Sequence, residues 1–226
     1  MIPESFSGGR NGEDGHGFTG QHTAPGQGTY QDISNYYLQY FKISPGIGGI
    51  PARAIKDGGL NGGGGGGVII NGEGPKRSSA NQGQGYGGGG GGQDELEAWK
   101  GLPGAVIVEV TAPTTKCQIV MNDFSKHVFY KFDLDIEHKT FTVSSPGCYL
   151  RVLAVGGGGF APYNESGAGS GHVTYVSEVP VTHAMTYQVQ VGDAGQASSI
   201  DGILSTKASP GQDSSYGNGG GGYSGG

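Results

Sequence analysis

Cys117 and Cys148 are the residues whose types and spacing most directly imply covalent chemistry. They stand 31 positions apart and both lie on or beside expected strands, so a bridge would tie the stretch at 117–121 to the strand that begins near 148. Closing a loop of that length contributes roughly 3 to 4 kcal/mol in the chain-entropy treatment. An even cysteine count suits an oxidising compartment; two buried free thiols are the alternative. Asn164-Glu165-Ser166 is an N-glycosylation sequon, which makes Asn164 a candidate acceptor if the protein is secreted.

Other residue types that do chemistry are present without the spacing that chemistry needs. The six histidines, at 16, 22, 127, 138, 172 and 183, form neither a zinc-binding helical pair nor a set with either cysteine. Asp133, Asp135 and Glu137 share one face if 130–136 is a strand; they would bind Ca²⁺ only with added loop oxygens, and a solvated strand face is the simpler reading. Gly83-Gln84-Gly85-Tyr86-Gly87-Gly88 neither follows a strand nor opens a helix, so it is no dinucleotide fingerprint, and no glycine run ends in a phosphate-binding Lys-Ser/Thr pair. Ser170 in Gly167-Ala168-Gly169-Ser170-Gly171 lacks the strand-turn-helix setting of a nucleophile elbow. The expectation is no enzyme, no cofactor and no metal.

The elements that would position these residues are strands. Ala105 to Val110 is a near-continuous apolar run of strand length, expected to bury both faces. Tyr130, Phe132, Leu134 and Ile136 alternate with Lys131, Asp133, Asp135 and Glu137, as in a strand that buries one face. Phe141 to Val143, a turn at Ser145-Pro146-Gly147, a central strand over Tyr149 to Val155, and strands at His172 to Val176 and Thr186 to Val191 complete an antiparallel sandwich. One short helix is expected over Asp94 to Lys100, closed by Gly101.

Of the 226 residues, 50 are Gly and 11 are Pro, in the range where a chain without a collagen period is usually low-complexity, yet 12 Tyr and 8 Phe supply a core. Net charge is −6 with 13 Lys+Arg and no basic run, which argues against a nucleic-acid partner. No apolar stretch reaches the roughly 18 to 20 residues that span a bilayer, so membrane insertion is not expected. Met1 to Ser5 has no signal-peptide character, and the chain reads as an internal piece or mature fragment.

The glycines concentrate in Gly62-Gly63-Gly64-Gly65-Gly66-Gly67, Gly87-Gly88-Gly89-Gly90-Gly91-Gly92, Gly156-Gly157-Gly158-Gly159 and Gly219-Gly220-Gly221-Gly222. Ordering a glycine costs roughly 0.5 to 1 kcal/mol more than ordering an alanine, so fixed runs need compensation. A threefold extended helix of six glycines spans about 19 Å and points every N–H and C=O outward. Those groups pair only if neighbouring runs supply partners, and without Cβ atoms the runs can approach closely enough to do so. A polyglycine-II bundle is therefore one reading and flexible linkers the other. Thr23-Ala24-Pro25-Gly26-Gln27 resembles Ala208-Ser209-Pro210-Gly211-Gln212, and the C-terminal glycines read smoothly into Phe6-Ser7-Gly8-Gly9-Arg10. The expected organisation is a closing half of a module over 1–111, and over 112–226 sandwich strands with the opening half of the next module, completed by a neighbouring copy.

Phe141 to Gly159, followed by Gly169-Ser170-Gly171-His172-Val173-Thr174-Tyr175 and Val189-Gln190-Val191-Gly192-Asp193, resembles the opening of secreted glycine-rich modules of invertebrate animals. Gly62 to Pro75, Gly83 to Gly92 and Gly101 to Glu109 resemble their end. More distantly the chain is similar to the glycine-rich extracellular domain of the anaplastic lymphoma kinase and leukocyte tyrosine kinase receptors, and to glycine-rich phage tail-fibre adhesins. The resemblance implies an all-β fold, a β-sandwich carrying packed polyglycine helices, and adhesion or recognition without catalysis. Here the opening motif follows the closing one, an order that fits repetition or end-to-end complementation.

The functional expectation is an extracellular structural or adhesive protein whose copies join head to tail into fibres or matrix; the alternative is a recognition module for a protein or glycan. Tyr36, Tyr37, Tyr40 and Phe41 are either an exposed anchor surface or an apolar cover for the glycine segments, and the cover is the simpler reading.

Overall fold

The computed structural model describes residues 43–45, 64–75, 83–91, 100–111, 127–135, 139–143, 146–161 and 168–213. Among these residues every regular element is a strand: β1 (Ile43–Pro45), β2 (Val68–Ile70), β3 (Ala105–Thr111), β4 (His127–Phe132), β5 (Thr140–Val143), β6 (Tyr149–Val155), β7 (Val173–Pro180), β8 (Met185–Gln190), β9 (Ser198–Ile200) and β10 (Ile203–Ala208). They form antiparallel sheets in the orders β4-β3-β6-β7, β10-β9-β8-β5 and β1-β2. Of the helix expected over Asp94 to Lys100, residues 94–99 lie outside the described residues and Lys100 belongs to no regular element.

β3 and β6 read as unbroken apolar runs because each is interior to its sheet and covered on both faces. Val108 pairs with Val152, and all seven residues of β3 are buried. Val106, Val108 and Val110 of β3 with Leu150, Val152 and Ala154 of β6 enter one core together with Phe141, Val143, Tyr187, Val189, Ile200 and Ile203 of the other four-stranded sheet. Aromatic contacts tie the sheets together. Phe141 stacks on its cross-strand partner Tyr187 at 4.9 Å, and Tyr130 of β4 lies 5.4 Å from Phe141. The alternate residues Ala105, Ile107, Leu153 and Val155 point the other way, into a second core with Val68, Ile70, Tyr86 and Val173.

β5 and β8 alternate buried and exposed residues along their length, so one face of each is wet. The expected strand through Ile136 stops earlier. β4 ends at Phe132, Leu134 and Asp135 form a turn, and Leu134 is 38% exposed. The Asp133 carboxylate accepts the N–H of Asp135 at 3.2 Å, a local side-chain bond that competes with the ladder. Asp133 and Asp135 thus do not share a strand face, and Glu137 lies outside the described residues. β7 runs on to Pro180, which as the last residue of an edge strand costs the sheet no interior hydrogen bond.

Candidate functional site: a glycine-rich seam

The glycine segments pack between the strands and bond sideways. Gly64–Gly67, Gly87–Gly91 and Gly156–Gly159 are all buried. Along the third run, Gly156 N–H donates to His172 O, Gly157 to Gln196 O, Gly158 to Leu102 O and Gly159 to Gly169 O, each at 2.9 Å. The donors therefore face the segment at 168–172, then 192–197, then 100–104, and at the fourth residue return to 168–172. The partner segment thus recurs at the fourth residue, unlike the two-sided alternation of a strand. The carbonyls of Gly157, Gly158 and Gly159 accept from Gly211, Gly195 and Gly90 at 2.8, 2.8 and 3.1 Å, so none of them relies on its own segment.

The direction in which a side chain would leave follows the same period. A Cβ on Gly156 would meet the Ser209 carbonyl, on Gly157 that of Asp193, on Gly158 that of Gly88 and on Gly159 that of Gln212, all inside the 3.0 Å that real Cβ atoms keep. Positions 156 and 159 again share one neighbour, the segment 208–213. Glycine is required at these places by the approach of neighbouring backbones, which fill the volume a methyl group would occupy.

The first two runs join the same network. Gly65 donates to Ala168 O at 3.0 Å and accepts from Gly89 at 2.7 Å; Gly90 accepts from Ala168 at 2.8 Å; Gly87 donates to Pro103 O at 2.7 Å and accepts from Gly171 at 2.8 Å. Ser198 is a polar peg that sequence reading missed. Its buried hydroxyl accepts the Gly192 N–H at 2.9 Å and donates to Val155 O at 2.7 Å, clamping the segment 192–197 to the end of β6. Thr206 does the same for the β9–β10 hairpin, accepting from Ile200 N–H at 3.0 Å and donating to Ile203 O at 2.7 Å. A hydroxyl's ability to donate and accept at once is the signal that could have marked both.

Among the described residues, ion pairs join 64–111 to 127–213 at β3 and at the turn after β2. Glu109 on β3, 1% exposed, faces Arg151 on β6 at 3.4 Å. Glu73 is set on a two-residue hairpin turn whose Asn71 and Gly72 have φ of 54° and 77°, and pairs with Lys131 at 3.3 Å. Lys131 also lies 5.2 Å from the Tyr86 ring centre and 3.7 Å from Asp133, whose carboxylate accepts the Tyr86 hydroxyl at 3.4 Å. These residues line an open cleft of about 430 Å³ with Pro75, Pro103 and Leu134. Burial raises the Tyr86 hydroxyl above its usual 10.0. Burial pulls Lys131 down, and Tyr86, Glu73 and Asp133 more than restore it, leaving the ammonium above its usual 10.5.

Of the residues singled out from sequence, Cys148 is wholly buried in the core shared by the two four-stranded sheets, and no free thiol occurs among the described residues. Cys117, Asn164, Gly62, Gly63, Gly92, Gly219 to Gly222, Tyr36, Tyr37, Tyr40 and Phe41 lie outside those residues. The glycines of runs far apart in sequence are brought together. Tyr86, in the rejected dinucleotide-like stretch, bridges to Val68 and is a core residue. Among the described residues no group of three or more His, Cys, Asp or Glu could hold a metal ion, and no helix is long and apolar enough to cross a membrane. Compared with family models, curated proteins and solved structures, the chain matches none.

Proposed function

We propose that this chain is an extracellular structural or adhesive protein in which packed polyglycine-II helices and a β-sandwich form one stiff unit, and that copies join head to tail into fibres or matrix. The observation that carries the reading is the threefold recurrence of hydrogen-bond partners along Gly156–Gly159. A backbone cross-bonded in three directions resists extension and needs no solvent-exposed side chains to cohere. Ordering so many glycines serves rigidity, since a flexible tether would leave them solvated. The proposal includes a Cys117–Cys148 bridge, supported by the burial of Cys148 and by the lack of a free thiol among the described residues, and a glycan on Asn164.

Two measurements test it. Amide hydrogen exchange of Gly87–Gly91 and Gly156–Gly159 should approach the protection of the core strands, whereas exchange at the rate of unstructured glycine removes the rigid unit. Electron microscopy and concentration-dependent light scattering should show filaments or a network; a monodisperse monomer at all concentrations removes the fibre. The second reading, a recognition module for a protein or glycan, draws on the cleft of Glu73, Tyr86, Lys131 and Asp133. It predicts that Glu73 and Lys131 are protected by a foreign ligand and not by a second copy.

A further inference from the structure

Among the described residues of 64–111, the glycine segments bond partly to one another, as Gly67 to Gln84 and Val68 to Tyr86, while β3 and the outer side of those segments bond to residues 127–213. β3 pairs with β4 on one side and β6 on the other, in register from Ala105↔Val155 to Thr111↔Tyr149 on the β6 side. Gly65, Gly87, Gly90 and Leu102 exchange backbone bonds with Ala168, Gly171, Gly159 and Gly158. Both charged pairs, Glu109–Arg151 and Glu73–Lys131, cross the same boundary. Without β3 the later block is a sheet with a vacancy one strand wide between β4 and β6, about 9 to 10 Å across.

Resting on the assembly reading above, we infer that this boundary is the joint of the polymer: the chain seen here is the closed form, which fills its own vacancy with its own β3, and growth occurs when residues 64–111 of one copy fill the vacancy of the next. The closed and exchanged forms make the same contacts, so the balance between them is set by concentration. The connection decides whether both are reachable. Antiparallel neighbours such as β3 and β4 need a link of only two residues, but 15 residues, 112–126, join them. That length of chain spans at most about 50 Å, enough to enter a second copy, and with a Cys117–Cys148 bridge the five residues 112–116 span at most about 17 Å. A linked pair competes at an effective concentration of about millimolar, so closed monomers dominate well below that level and exchanged species above it. The fit is selective because a wrong partner would bury Glu109 without Arg151.

The test uses two full-length variants, Glu109→Arg and Arg151→Glu. Each closed monomer then buries like charges, Arg against Arg or Glu against Glu, and loses its cooperative transition at the wild-type midpoint. Unfolded together and refolded as a mixture, the two should form a one-to-one dimer in which both boundaries regain opposite charges, with a transition near that of wild type. A mixture that behaves as the sum of its parts overturns the inference. Should the variants not express, wild-type protein refolded at graded concentrations decides. Species larger than a monomer should rise toward about millimolar and persist on dilution, and a monomer at every concentration overturns it. Filaments without recombination leave the assembly reading and remove the exchange; recombined dimers without filaments keep the exchange and remove the fibre.

Discussion

Gly158→Ala separates a packed glycine run from a slack one by the sign of its effect. The Gly158 N–H donates to Leu102 O at 2.9 Å, its carbonyl accepts from Gly195 at 2.8 Å, and a Cβ there would overlap the Gly88 carbonyl. Backbone cannot rotate aside as a side-chain end can, so the added methyl forces the runs apart. Overpacking costs about 1–3 kcal/mol, and weakening two buried hydrogen bonds adds about 1 kcal/mol each. Against this, alanine stiffens the unfolded chain and returns about 0.4–1 kcal/mol. The net loss is on the order of 3 kcal/mol, or about 6–12 °C in Tm for a chain of this size. A solvated run would show only the stiffening, a small rise in Tm. Calorimetry with urea unfolding by circular dichroism reads the difference, and Gly195→Ala is the control. At Gly195, with φ of 71° and nothing within 4 Å of the added carbon, the cost is backbone strain alone, about 1–2 kcal/mol. A Gly158→Ala protein as stable as wild type, or more so, would refute the packing argument.

Ser198→Ala should lower stability by about 2–3 kcal/mol, because the buried Gly192 N–H and Val155 carbonyl both lose their hydroxyl; Ser198→Thr, which keeps the hydroxyl, separates lost bonding from altered volume in the same urea titration. Glu109→Ala should cost up to about 3–5 kcal/mol by leaving the partly buried Arg151 without its carboxylate, whereas Glu109→Leu with Arg151→Met should return most of that loss. A double variant no more stable than the single one contradicts this account. The pH dependence is alkaline. Tyr86, Tyr130 and Tyr187 are raised above 10.0 by burial, and Lys131 is held above 10.5 despite its burial. Each group binds its proton more tightly when folded, so its contribution is complete below the unfolded value and lost as pH rises through the folded one. Urea midpoints should be flat through neutrality on account of these groups and fall from about pH 10 upward; Lys131→Met should remove part of that fall.

The strands most legible in sequence are those whose environment is written in their own residues. Ala105 to Val110 and Tyr149 to Val155 are apolar at every or nearly every position because both faces are covered, and β5 and β8 alternate because one face is wet. The extension through Leu134 failed because alternation continued past the point where the Asp133 carboxylate accepts the Asp135 N–H. β2, β9 and β10 went unread. Val68–Ile70 is a three-residue fragment after six glycines, and Ser198–Ile200 with Ile203–Ala208 is a hairpin marked only by Asp201-Gly202.

Composition and local pattern determined that the described part of this protein is built of strands, that its glycines come in runs, and that no familiar arrangement of nucleophile, metal ligand or phosphate cradle is spelled along the chain. Tertiary structure decided which run meets which. A glycine has no side chain to signal its neighbour, so nothing near Gly158 in sequence points to Leu102, Gly195 or Gly88. Those partners are chosen by the strands that deliver each segment to the seam, and backbone hydrogen bonding, identical at every residue, becomes specific only through that placement.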